Sequence, residues 1–169
     1  MRKTAYLGLL AAVAIIFGYV ETLLPVFVFM GIPGIKLGLA NLVTVCILYS
    51  YTWKEAGLVS VIRIVVIGFM FGNLFSILFS LAGAGLSLLC MSLAKKYLGL
   101  SIAGVSIVGG VTHNAGQIVV AALVVENGNL FYYFPVLMIA GLVTGLVIGI
   151  VSGEILKRTA GRKKDDCIY

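Results

Sequence analysis

The sequence predicts an all-α membrane protein: a bundle of six transmembrane helices with both termini cytoplasmic. Three observations carry this. Hydrophobic residues make up 62% of the 169 and charged residues only 11%, well under the ~25% of soluble domains. Apolar runs of near-spanning length recur six times between short polar breaks. Threading those runs alternately across a bilayer puts almost all basic residues on one side. With a mean hydropathy of +1.17, the chain has too few polar side chains to cover a soluble globule. That excludes an ordinary cytosolic enzyme, a disordered regulator and a disulfide-stapled secreted domain.

The first run, 4–24, is longer than the ~7–15-residue core of a signal peptide, so it reads as a retained helix. Pro25, Pro33 and Gly34 break the chain over 25–37. The second span is 38–52, and Trp53-Lys54-Glu55 makes a polar turn. The third is 56–71, closed by Gly72-Asn73; the fourth is 74–94, closed by Lys95-Lys96. The fifth is 101–125, followed by the turn Glu126-Asn127-Gly128-Asn129. The sixth is 130–156, and 157–169 is a basic cytoplasmic tail. The whole chain reads as one integral membrane domain without a recognisable internal repeat.

Charge supports the threading. Arg2, Lys3, Lys54, Lys95, Lys96, Lys157, Arg158, Arg162, Lys163 and Lys164, ten of the 12 basic residues, fall on the inner side. Lys36 alone lies outside, and Arg63 alone lies within a span. The net charge of +6 is then a topology signal and a contact to anionic lipid, not a nucleic-acid footprint. Cys46, Cys90 and Cys167 form no CxxC pair and no metal set.

Two stripes of small residues stand out. Gly141, Gly145, Gly149 and Gly153 recur at a spacing of four on the sixth span, and Thr4, Gly8 and Ala12 on the first. Such stripes let a second helix approach closely. They fit either packing inside the bundle or docking to another subunit.

Polar groups inside a membrane are candidate functional residues. Arg63 sits midway along the third span, where it fits a structural ion pair or a ligand contact; Glu21 is the acid within a span on the outer half. His113 and Gln117 share a face of the fifth span, with Asn114 beside it, and Gly109-Gly110 one turn away. Packing and a ligand pocket are both open for this group. Asn41 on the second span and Asn73 at the start of the fourth also fall in the outer half, and Lys36 lies just outside. The polar groups thus converge outward. The chain lacks HExxH, GxSxG and Walker A motifs, and its six acids are too scattered for a Mg-diphosphate site. No catalytic residue, metal or cofactor is expected.

The stretch Pro33-Gly34-Ile35-Lys36-Leu37-Gly38-Leu39-Ala40-Asn41 resembles a signature of the Gx transporter family, whose members are often labelled heptaprenyl diphosphate synthase component I. Arg63, Phe71-Gly72-Asn73-Leu74-Phe75-Ser76, Ser80-Leu81-Ala82-Gly83-Ala84 and Thr112-His113-Asn114-Ala115-Gly116-Gln117 continue the likeness over nearly the whole chain. The family looks like the substrate-binding S components of energy-coupling-factor (ECF) transporters. That resemblance implies an outward pocket and docking through Thr4, Gly8 and Ala12 to a transmembrane coupling subunit served by two ATPases. The expected role is uptake of a small molecule, of the vitamin or cofactor-precursor type, at the bacterial cytoplasmic membrane. Lys36, Asn41, Arg63, Asn73, His113, Asn114 and Gln117 are expected around the ligand. The alternative is a non-catalytic membrane subunit linked to heptaprenyl diphosphate and quinone synthesis or to flavin-based extracellular electron transfer.

Overall fold

Helix boundaries follow the polar breaks in the sequence. The computed structural model describes residues 2–23 and 38–165. Helix α1 is Arg2–Leu23, α2 Leu39–Ser50, α3 Trp53–Phe71, α4 Leu74–Tyr97 and α5 Ile102–Val125. A 3-10 segment, Gly128–Tyr133, leads into α6, Phe134–Asp165. No strand occurs among the described residues.

Side-chain caps explain where the helices begin. The first N–H groups of a helix lack intrahelical partners, and a short polar side chain supplies one. The Glu55 carboxylate accepts the Thr52 backbone N–H at 3.2 Å, part of a capping box on α3. Asn73 Oδ1 accepts the Ser76 N–H at 2.8 Å, and Ser101 Oγ accepts the Gly104 N–H at 3.2 Å. Helix α2 starts differently. Gly38 adopts the left-handed region (φ 73°), and the Leu39 N–H donates at 2.7 Å to the Glu21 carboxylate of α1.

Four stretches are long and apolar enough to cross a membrane: Lys3–Leu23, Leu74–Tyr97, Ile102–Val125 and Gly128–Thr159. The shortest has 21 residues, ~31 Å at 1.5 Å per residue, which matches the ~30 Å hydrocarbon layer. The chain is therefore a multi-pass membrane protein. Helix α3 is 19 residues long but carries Lys54, Glu55 and Arg63. Helix α2 has only 12 residues, ~18 Å. It is shorter than the 38–52 expected because Gly38 and Tyr51 leave helical geometry at its two ends. Helix α6 runs on through the basic tail to Asp165.

The helices close a ring in which each packs on its neighbours: α1 on α3, α3 on α4, α4 on α5, α5 on α6, α6 on α2 and α2 on α1. Helix α2 also packs on α3, and its residues Val43 to Leu48 are all buried. Val45, Ile47, Val59, Met91, Val105 and Ile148 form the centre of the apolar core. At one end, Lys3 pairs with Glu55 at 2.6 Å. There Lys95 donates to the Leu48 carbonyl at 2.6 Å and lies 4.4 Å from the centre of the Tyr49 ring. An ammonium at the C-terminus of α2 meets carbonyls that have no helical partner. This is the basic end of the molecule.

Helices α5 and α6 approach each other closely. A Cβ on Gly141 would lie 2.7 Å from the Gly110 carbonyl oxygen, one on Gly145 2.8 Å from Ile107 Cα, and one on Gly149 2.6 Å from Ala103 Cα. The partners descend in number as the glycines ascend, so the two helices are antiparallel. This corrects the docking expectation for Gly141, Gly145 and Gly149: their bare faces are already filled by backbone of the same chain. Gly153 has open space, as does Gly8.

Candidate functional site

The ring encloses a cavity of about 380 Å³ lined by residues from all six helices. That volume falls in the range of small-molecule sites. Arg63 and Glu21 are the charged side chains among its described lining residues. Glu21 is also the carboxylate whose charge acts on Arg63.

The site assembles from local sequence. On α3, Arg63 follows Ser60 by one helical turn; Ser60 is buried against Thr44 of α2, with their hydroxyl oxygens 3.0 Å apart. Asn41 precedes Thr44 by the same interval, so Asn41 and Arg63 face the cavity at one level. Helix α5 contributes His113 and Asn114. The Asn114 amide donates to the Leu137 carbonyl of α6 at 2.7 Å, which fixes its orientation. Gly83 on α4 lets α5 approach: a Cβ there would sit 3.0 Å from the His113 carbonyl oxygen and 3.1 Å from the His113 ring. Ser76, Ser80 and Thr144 add hydroxyls to the lining.

The structure therefore brings together Asn41, Arg63, His113 and Asn114 of the seven expected ligand residues. Asn73 is exposed and spends its side-chain oxygen on the α4 cap, outside the cavity lining. Gln117 does not line the cavity either. It is 1% exposed and packs on Gly83, and neither of its amide atoms has a hydrogen-bond partner among the described residues. Lys36 lies outside the described residues. Sequence reasoning noted Glu21 as an acid within a span but left it out of the site; that isolation in an apolar run was the available signal.

Arg63 sets the chemistry. A guanidinium has five donors and no acceptor. Its Nε is buried, and nothing among the described residues accepts a hydrogen bond from it. In a membrane interior a buried donor without an acceptor is expensive, even where a carboxylate such as Glu21 offsets the charge. The arrangement suits a bound group that supplies oxygen acceptors.

Thr4, Gly8 and Ala12 of the first stripe are all exposed on α1. That face is unfilled within the chain, in contrast to the stripe on α6.

No curated protein and no solved structure matches the chain. A family model described as "Heptaprenyl diphosphate synthase component I" matches residues 10–155. That match takes in α2 to α5, most of α1 and α6 and every cavity-lining side chain named above, and the chain belongs to the heptaprenyl diphosphate synthase component I family.

Proposed function

We propose that this chain is a substrate-binding membrane subunit for uptake of a small molecule, of the vitamin or cofactor-precursor type. The single observation that carries the reading is the polar cavity: Asn41, Arg63, His113 and Asn114 converge inside an otherwise apolar bundle. In this reading all six helices span the bacterial cytoplasmic membrane. The basic end, with Lys3, Lys54, Lys95 and Lys96, faces the cytoplasm, as the positive-inside rule requires. The cavity then opens toward the outer leaflet.

The chain acts without catalysis of its own, and partners supply the work. A transmembrane coupling subunit with ATPases is the class that fits. The open α1 stripe supports docking there, because Gly8 has nothing within 4 Å where a Cβ would stand.

Two measurements test this. Native mass spectrometry of the protein released from lipid nanodiscs should show a bound small molecule, and Arg63→Gln should lose it. A pull-down in mild detergent should recover ATPases with the wild type and not with Gly8→Leu. The family's name favours a second reading, a non-catalytic membrane subunit of prenyl diphosphate synthesis. Recovery of a prenyl synthase or a flavoprotein in place of ATPases would replace the transport reading.

A further inference from the structure

Two opposite charges share the cavity wall. Gly18 of α1 packs on α3: a Cβ there would stand 3.1 Å from Ile67 Cγ1 and 3.7 Å from Arg63 Cγ. The stem of Arg63 therefore runs against α1 at Gly18. Glu21 follows Gly18 by three residues, one turn along the same face of α1. Gly18, Glu21 and Arg63 all line the cavity, and the Glu21 charge acts on Arg63. Glu21 is held in place, because its carboxylate accepts the Leu39 N–H at 2.7 Å. Leu39 is the first residue of α2, where unsatisfied donors and the helix dipole favour a negative charge.

Glu21 and Arg63 are the charged side chains among the described lining residues, so the formal charges of that wall sum to zero. Inside an apolar bundle, a charge that enters without a partner loses its hydration and finds nothing to replace it. An anion drawn to Arg63 meets Glu21 on the same wall, and a cation drawn to Glu21 meets Arg63. An uncharged ligand carries no such cost, yet it can still answer the polar groups. A guanidinium only donates, and the buried Arg63 Nε has no acceptor among the described residues. The Asn114 amide nitrogen is committed to the Leu137 carbonyl at 2.7 Å, which leaves the amide oxygen to accept. Donors at Arg63 and an acceptor at Asn114 match the C=O and N–H of a neutral amide.

We infer that the cavity selects a ligand of zero net charge with amide-like donor and acceptor groups, and that Glu21 sets this selectivity by cancelling the charge of Arg63. The inference rests on the cavity being the ligand site proposed above. Glu21 is then a specificity-determining residue. Without its carboxylate the guanidinium would favour anions, and without the guanidinium the carboxylate would favour cations.

The test uses the full chain in lipid nanodiscs at about pH 8, where an ordinary imidazole such as that of His113 is neutral. Benzamide, benzoate and benzamidine share one planar ring and differ in the charge of the head: neutral, negative and positive. Affinities are read by ligand-observed NMR, with empty nanodiscs as the blank for partition into lipid. The wild type should bind benzamide at least about tenfold tighter than either ion. Glu21→Gln should move the preference to benzoate, and Arg63→Gln should move it to benzamidine. The double variant Glu21→Gln/Arg63→Gln should put benzamide first again, which a merely structural role for either residue would not do. Glutamine keeps an oxygen that can accept the Leu39 N–H, and circular dichroism checks that each variant keeps its helices. A wild type that prefers an ion, or binds all three equally, overturns the selectivity for zero net charge. The same order in all four proteins overturns the role of Glu21. Should Glu21→Gln fail to fold, the order in Arg63→Gln decides, because there the Glu21 charge stands alone. Absence of binding by all three probes, in the wild type and every variant, removes the ligand-site reading itself.

Discussion

Gly149→Ala tests whether the glycine stripe on α6 serves packing within the chain. The new Cβ would stand 2.6 Å from Ala103 Cα, with Ser106 Cβ at 3.0 Å and the Ala103 carbonyl at 3.2 Å. Non-bonded carbons prefer about 3.5–4.0 Å. The facing atoms include backbone, which cannot turn aside as a side chain can, so α5 and α6 must separate locally by about 1 Å. Overpacking of this kind costs about 1–3 kcal/mol. Replacing a helical glycine by alanine returns at most about 1 kcal/mol. With backbone on the facing side the clash outweighs that return, and a net loss of up to about 2 kcal/mol is expected. Gly8→Ala is the control, because it has the same chemistry with nothing within 4 Å; it should be neutral or gain up to about 1 kcal/mol. Equilibrium unfolding by SDS in mixed micelles, followed by circular dichroism, measures both. If the two variants shift stability in the same direction by the same amount, the stripe is not a packing seam and the reasoning is wrong.

Three further outcomes follow from single side chains, each read in the same unfolding assay. Asn114→Leu removes the bond to the Leu137 carbonyl and should cost about 0.5–1.7 kcal/mol; no loss would mean that this bond does not hold α5 to α6. Gln117→Met replaces a buried amide that has no partner among the described residues, so it should be neutral or stabilising by about 1–3 kcal/mol; a marked loss would reveal a partner for the amide. The Lys3 ammonium, and after it backbone N–H groups, hold the Glu55 carboxyl below its ordinary range. A group lowered on folding contributes fully above its unfolded pKa and loses that contribution as pH falls through the lowered value. Stability should therefore decline over roughly pH 5 to 3, and Lys3→Met should flatten that decline. An identical acid profile in the variant would show that the pair has no role in it.

The helices were legible to within a few residues because the physics that ends them is written locally. Asn73 before Leu74, Ser101 before Ile102 and Thr52 three residues before Glu55 are capping patterns, and the structure uses all three. The end of α6 was less legible. The charged tail ends the apolar run at the membrane surface, but nothing in Lys157, Arg158 and their neighbours stops a helix, which continues to Asp165.

What sequence spacing cannot supply is the neighbour that a given face meets. His113 and Gln117 share a helix face, yet His113 lines the cavity and Gln117 is sealed against Gly83 one turn away. The difference arises because α4 crosses α5 at that point, and Gly83 and Gly116 let the two backbones come close. The two small-residue stripes pose the same problem. Both have the period that permits close approach, but α6 meets α5 along Gly141, Gly145 and Gly149, whereas α1 turns Thr4, Gly8 and Ala12 outward. Residue type, outer-half position and the family likeness group Asn73 with the ligand amides, but its capping bond gives that amide a different job. Arg63 needed no knowledge of a neighbour. A guanidinium in an apolar span is costly wherever it points, so its cost alone marked the position around which the cavity is built.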